Sequence, residues 1–283
     1  MSAPVPSLPR RRFPLKRWWP IAILAVFVLT AICAPLLAPY DPNAQNLVGR
    51  LKPPGTVSRS FYYWLGSDEL GRDLLSRIIY GTRVSLLVAV LSVLLSGACG
   101  TALGLIAGYR RGWVETAVMR IADVFLSIPA VLLAIITVAV LGPSLVNVVL
   151  VLALTRWPRY ARVAHAQTLA TTGMAYVENA VLSGGGNARI LFRHILPNIA
   201  GTLIVVATLE FGLMVLFEAG LSFLGLGVQP PTASWGSMLS TGRNYVATAW
   251  WVATLPGLCL FALVLTVNLT GDAVRDRLDP HFR

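Results

Sequence analysis

Few residues in this chain carry reactive groups, and their placement limits the chemistry open to it. The only lysines are Lys16 and Lys52, and neither follows a glycine. A P-loop needs a Gly-Lys pair, because the lysine neutralises phosphate charge, so the chain cannot cradle ATP in that way. Cys33, Cys99 and Cys259 each lie inside an apolar run without the paired spacing of a metal site, and read as small buried hydrophobes. His165, His194 and His281 are not at ligand spacing, and neither HExxH nor GxSxG occurs. The sequence therefore offers no nucleophile–base pair, no catalytic residue and no metal site. Three acids stand out instead. Asp123, Glu210 and Glu218 sit in or near apolar stretches, where a charge costs roughly 2.5–3.5 kcal/mol on insertion scales. Such residues face a bundle interior and pair. Glu210 and Glu218 are eight residues apart, about 80° around a helix, so one broad face can hold both. Two readings stand: these acids line a solute path or its gate, or they are structural partners of Arg120, Arg156 or a companion subunit.

The elements that must hold these acids follow from composition. Of 283 residues, 56% are hydrophobic and only 12% charged, with a mean hydropathy of +0.70. Soluble domains carry roughly 25% charged residues, so the bilayer must act as the solvent. The net charge of +11 is read as the positive-inside bias of a membrane protein, with anionic lipid as its partner and no nucleic acid.

A hydrocarbon core of ~30 Å takes about 20 helical residues. Residues 21–38 form the first predicted span, preceded by a tail over 1–20 that holds Arg10, Arg11, Arg12, Lys16 and Arg17. This start resembles a signal peptide. Its apolar run is too long for one, and Pro39-Tyr40-Asp41-Pro42 follows, so an uncleaved helix is expected. Val84–Ala107 is a second span. Val124–Leu141, extended back to Ile121, is a third, with Ile128-Pro129 marking a kink. A fourth starts at Ser144 and continues through Arg156 and Arg159 toward Arg162, whose side chains are expected to snorkel to an interface. Residues 198–224 make a fifth span and Asn244–Gly271 a sixth. With both termini inside, 16 of the 23 basic residues fall on the cytoplasmic side. The eight tryptophans fall near span ends or in loops, as aromatic belts predict.

Between spans lie two long connections. In residues 39–83, positions 41–60 are mostly irregular and Ser67–Tyr80 has the apolar spacing of an interfacial amphipathic helix. The second connection, about residues 170–197, is unusually long for a helix bundle. It reads Glu178-Asn179-Ala180, then Gly184, then His194 and Leu196-Pro197.

That spacing resembles the EAA loop of permease subunits in binding-protein-dependent ABC importers: EAA, three residues, Gly, a gap, a hydrophobic residue, one more, then LP. Here His194 holds the hydrophobic place and Asn179 replaces the usual alanine. The stretch RILFRHILPN (189–198) resembles the dipeptide, oligopeptide and nickel branch. So do GSDELGRDLL (66–75), SFLGLGVQPPTASWG (222–236) and NLTGDAVRDRLDP (268–280). The match runs from about residue 20 to 280. Leu182-Ser183-Gly184-Gly185-Gly186 mimics the LSGG signature of the ATPase subunits, but without a P-loop it is a coincidence.

The resemblance implies an all-α polytopic membrane protein of about six transmembrane helices, with the type I ABC importer permease bundle. A cytoplasmic tail (1–20), the first helix (21–38), a periplasmic loop (39–83), a permease core (84–271) and a second tail (272–283) would follow one another. It implies a pore shared with a homologous second permease subunit, a periplasmic or lipoprotein solute-binding protein, and two cytoplasmic ATPase subunits that hold the ATP and magnesium. Glu178, Asn179, Ala180, Gly184, His194, Leu196 and Pro197 would form the coupling loop that docks on an ATPase. The rival reading is a secondary transporter or channel-like protein not coupled to ATP. Such a protein would show internal repeats, and none is evident.

Overall fold

The computed structural model describes residues 19–278. Helix α1 (Trp19–Ile32) turns at Cys33 into α2 (Ala34–Leu37). Residues 38–73 form a cap that holds a 3-10 turn (Leu47–Gly49) and a hairpin of β1 (Thr56–Ser58) and β2 (Phe61–Tyr63), with Thr56 opposite Tyr63. Then come α3 (Leu74–Arg110), α4 (Gly112–Ser127), α5 (Ala130–Leu141), α6 (Leu145–Thr172), α7 (Ala175–Leu182) and α8 (Asn187–Ile190). A π turn (Leu191–Ile195) carries α8 into α9 (Leu196–Phe223); α10 (Trp235–Gly242) and α11 (Trp251–Leu278) complete the chain.

Helix α3, the run Asn187–Phe223 and Trp251–Asp276 of α11 are each long and apolar enough to cross a membrane. Helices α4 and α5 pass the same test as a bent pair. Taken together, α1 and α2 reach about 28 Å at ~1.5 Å per residue, close to a bilayer's hydrocarbon thickness. Helix α6 supplies the sixth unit, with three arginines along it. About six spans is therefore the architecture, as expected.

Its main contact is a seam of small residues. Ser92, Ser96, Gly100, Gly104 and Gly108 recur every fourth position on α3 and are buried against α6. A methyl group on Gly104 would lie 2.7 Å from the Ala164 Cβ and overlap the Ala161 carbonyl. The backbones approach this closely only because no side chain intervenes, and in lipid such packing replaces the hydrophobic drive of water. Toward the cap, Leu74, Ile78, Leu86, Leu152, Met214 and Trp235 join the principal apolar core.

The cap is built from the GSDELGRD segment. The Asp68 carboxylate receives Arg72 Nε at 2.6 Å and the Leu70 and Arg72 backbone N–H groups at 2.9 Å each. Arg77 Nε lies 3.5 Å from the same carboxylate, and its Nη1 donates to the Pro42 carbonyl at 3.2 Å. Trp251 Nε1 donates to the Ser67 carbonyl at 3.2 Å, tying α11 to the cap. Gly66 (φ +88°) makes room for that indole: a Cβ there would meet Trp251 Nε1 at 2.6 Å. Burial, and then the neighbouring Asp68, raise the Glu69 carboxyl above its ordinary pKa.

Several expectations are corrected. Ser67–Tyr80 is not an interfacial helix. Asp73 caps α3 by accepting from the Ser76 N–H at 2.8 Å, and Leu74, Ile78 and Ile79 are buried in a helix that runs unbroken into the bilayer. The kink expected at Ile128-Pro129 is present, and it is a sharp one, bending the third span by 91° between α4 and α5. Pro129 lacks an N–H and holds Ile128 extended (φ −90°, ψ 128°). The last helix starts at Trp251, not Asn244, because Arg243–Tyr245 close a 3-10 turn first. The helix leading into the fifth span begins at Asn187. Trp157, Trp235 and Trp251 are buried rather than belted, and Trp235 Nε1 donates to the Ile78 carbonyl at 3.1 Å. The basic cluster from Arg10 to Arg17, Trp18 and the final residues lie outside the described residues.

The seam yields a paired prediction. Gly104→Leu must push α3 and α6 apart and is expected to lower stability by about 3 kcal/mol or more, read as earlier thermal unfolding in detergent. Gly97→Ala places its methyl 3.4 Å from the Tyr160 ring, an ordinary contact, and is expected to unfold like the unaltered protein. Equal behaviour of the two variants would refute the seam.

Candidate coupling loop and membrane charges

Helix α7 is short, and one side chain fixes it. Val177 is 1% exposed and packs among Leu105, Ala164, Ile190, Ile195 and Ile199. Two polar ties hold the surroundings: Tyr109 OH donates to Asn187 Oδ1 at 3.3 Å and Asn198 Nδ2 to Thr171 Oγ1 at 3.4 Å. Glu178 stands in the first turn of α7, where a carboxylate suits the helix dipole. Its carboxylate is exposed and makes no hydrogen bond or ion pair with the described residues, while its backbone N–H donates to the Met174 carbonyl at 3.2 Å. Asn179 is exposed too, and its carbonyl accepts the Ser183 N–H at 3.0 Å and hydroxyl at 2.8 Å. Ala180 is half-buried and its carbonyl accepts the Gly185 N–H at 3.0 Å. Gly184, at φ +79°, reverses the chain in the left-handed region that a side chain disfavours.

Beyond that turn, His194 and Leu196 are half-buried and Pro197 is exposed. Pro197 stands in the first turn of α9, directly after the π turn, where the Leu196 N–H reaches the Leu191 carbonyl. The wider turn accommodates the proline's missing donor. Sequence reasoning missed the loop's exposed apolar residues: Tyr176, Val181, Leu182 (84% exposed) and Phe192 (66%). Their signal was present as apolar residues in a segment too polar to be a span. Exposed apolar groups clustered at one end of a bundle mark a contact surface.

The membrane charges are paired within the chain. Arg159 Nη1 donates to Glu210 Oε1 at 3.1 Å, and Arg156 Nη1 lies 3.7 Å from Glu210 Oε2. The Arg156 guanidinium also sits over the Phe217 ring, 4.2 Å from its centroid. Arg162 Nη2 donates to Asp123 Oδ1 at 2.5 Å, and His165 Nε2 lies 2.8 Å from Glu115 Oε1. The α6 arginines thus pair with acids on α4 and α9, while Arg159 and Arg162 stay half-exposed. The signal was their spacing, since Arg156, Arg159, Arg162 and His165 recur every third residue.

Glu210 and Glu218 do not share a site. Glu218, fully buried, accepts from the Ser85 hydroxyl at 3.0 Å and the Ser222 hydroxyl at 2.8 Å. Ser222 Oγ in turn accepts the Val228 N–H at 3.2 Å. Glu218 therefore joins α3, α9 and the turn after α9, whereas Glu210 faces α6. Arg120 is partner to neither. Arg159 and Arg162 are each 53% exposed and Asp123 47%. Gly100 and Gly104 set their depth, because these charge-free α3 positions lie against Trp157, Tyr160 and Ala161.

The chain has close relatives. Residues 100–283 match the family model "Binding-protein-dependent transport system inner membrane component", and residues 21–54 match "N-terminal TM domain of oligopeptide transport permease C". The chain is 43% identical over 282 residues to the di/tripeptide transport system permease protein DppC of Pseudomonas aeruginosa, covering 95% of this chain and 93% of that protein. It is 42% identical to the glutathione transport system permease protein GsiD of Pectobacterium atrosepticum, covering 96% and 90%. Among solved structures, the inward-facing MetNI methionine ABC transporter superposes with a TM-score of 0.60 at 19% identity, covering 73% of this chain and 98% of that one. Six spans, a loop of EAA spacing ending in an exposed apolar helix, and relatives similar along nearly their whole length agree: the chain belongs to the family of binding-protein-dependent transport system inner membrane components and is an ABC importer permease subunit.

Proposed function

We propose that this chain is one half of a membrane pore that imports small peptides or similar solutes, and that α7 is its coupling helix. The observation that carries the reading is the α7 tip. An unpartnered Glu178 carboxylate and the exposed Tyr176 and Leu182 stand on a helix anchored by Val177, and Phe192 is exposed on the π turn that follows. This tip lies at the opposite end of α3 from the cap, about 55 Å away at ~1.5 Å per residue. In this reading the tip seats in a cytoplasmic ATPase, with both termini on the same side. The partner ATPases bind the ATP and magnesium, and this chain holds no cofactor and catalyses nothing. A homologous permease completes the pore, and a solute-binding protein delivers cargo to the cap side. The names of the peptide and glutathione permeases above support peptide-like cargo.

The half-exposed charges on α6 and α4 mark the face of this chain toward the path. A charge at membrane depth does not face lipid tails, so Arg159, Arg162 and Asp123 face water or the companion subunit. Glu210 acts behind them by holding Arg156 and Arg159 in place, and Glu218 ties α9 to α3 and to the turn after α9.

Three experiments test these statements. Glu178→Lys and Gly184→Pro are expected to abolish uptake and ATPase co-purification while the protein stays in the membrane; normal uptake by both removes the coupling role. A cysteine replacing Ser183 is expected to react with an impermeant maleimide only when the cytoplasmic face is opened. Labelling from outside would reverse the orientation and end the proposal. Glu210→Gln leaves the Arg156 guanidinium buried and uncompensated, with an expected loss of about 3–5 kcal/mol in unfolding stability. Arg162→Gln on the watered face is expected to cost about 1 kcal/mol or less while slowing uptake. A stability loss at Arg162 as large as at Glu210 would show that this face is dry.

A further inference from the structure

A groove of about 690 Å³ opens between α1, α3, α9 and α11, away from the charged face of α6. Val28 of α1, Leu87 and Val90 of α3, and Phe211 of α9 are among its apolar walls. Val28, Leu87 and Val90 are each about two-fifths exposed, so the groove is open to its surroundings. Its polar wall residues make no demand on an occupant. Thr208 Oγ1 already donates to the Val205 carbonyl at 2.8 Å and Thr270 Oγ1 to the Thr266 carbonyl at 2.8 Å. One group differs. Arg83 lines the groove and is exposed, and its guanidinium makes no hydrogen bond or ion pair with the described residues.

The depth of each part identifies the occupant. Arg83 immediately precedes the charge-free stretch Val84–Ala107 of α3, so its guanidinium stands at headgroup level on the cap side. From Arg83 to Val93, the α3 residues along the groove rise about 15 Å, half of a ~30 Å hydrocarbon core. The α9 and α11 walls, with Ile204 and Thr270, continue the groove further toward the loop end, so an unpaired cation at headgroup depth stands above an apolar channel long enough for an acyl chain. A protein helix would satisfy the walls but would also have to bring a carboxylate to the headgroup level. A phospholipid carries both parts in one molecule, with the anion and the chains at the matching depths. We propose that this groove holds one anionic phospholipid, its phosphate on Arg83 and an acyl chain between α1 and α9.

The test uses the complete transporter, purified and washed of loosely held lipid, with a photoreactive benzoylphenylalanine at one position. Replacement of Leu87, inside the groove, is expected to give a chain heavier by one phospholipid after irradiation. Replacement of Leu94, which is 61% exposed but outside the groove, is expected to give at least fivefold less lipid adduct. An adduct from Leu87 to a second polypeptide, or equal lipid adducts at the two positions, overturns the site. In nanodiscs, phosphatidylglycerol is expected to be retained over phosphatidylcholine by about tenfold. Arg83→Gln should abolish that preference and Arg83→Lys keep most of it. Equal retention of the two lipids by the unaltered protein overturns the role of Arg83. Both readouts are independent of transport, so they neither stand nor fall with the coupling role of α7.

Discussion

The architecture depends on how closely α3 and α6 approach. Lipid tails are as apolar as leucine, so burying more leucine between helices gains little in a bilayer, and the association must come from contact itself. The four-residue repeat from Ser92 to Gly108 provides it by leaving one face of α3 almost without side chains. With α6 fixed there, its arginines are presented to α9 and α4, whose acids then have defined partners. The same repeat explains how a helix with three arginines stays within the bundle. Backbone packing on one side holds it while ion pairs satisfy the other.

The two ends of the bundle are made differently. At the cap, a short polar segment folds on its own charges, with Asp68 as the acceptor for two arginines and two backbone amides. Trp251 and Asp73 then lock this knot to α11 and α3. At the other end, the polar ties are few and partly exposed, as between Tyr109 and Asn187. Helix α7 rests on one valine and leaves its acid and several large apolar groups outside. A rigid, internally paired end and an open, anchored end suit a protein that receives something at one and is driven from the other.

Much of this was legible in the sequence because it is local. Charge-free runs gave the spans, and the spacing from Glu178 to Pro197 gave the α7 loop. What was lost depends on contacts between distant segments. Nothing in the Glu210 surroundings names Arg159, 51 residues earlier, as its partner; only the helix arrangement decides between that ion pair and exposure at an interface. The Ser67–Tyr80 stretch misled for a related reason. Its apolar periodicity was real, but periodicity does not say whether an apolar face meets lipid headgroups or a tryptophan from 157 residues away. The depth of the α4–α5 bend likewise exceeds what a single Ile-Pro step announces.

The π turn at Leu191–Ile195 sets a phase. One residue more per turn rotates everything after it by about 100° relative to a plain α-helix. Ile190, Ile195 and Ile199 lie on one side of this insertion or across it and all face the bed of Val177, while Glu210 and Glu218 lie wholly beyond it. Deleting a single residue there would leave the helix intact and its length nearly unchanged. It would also swing both carboxylates about a quarter-turn away from Arg159 and Ser85. The azimuth of the buried acids is thus dictated from the loop end of the helix, by the same five residues that let a proline into it.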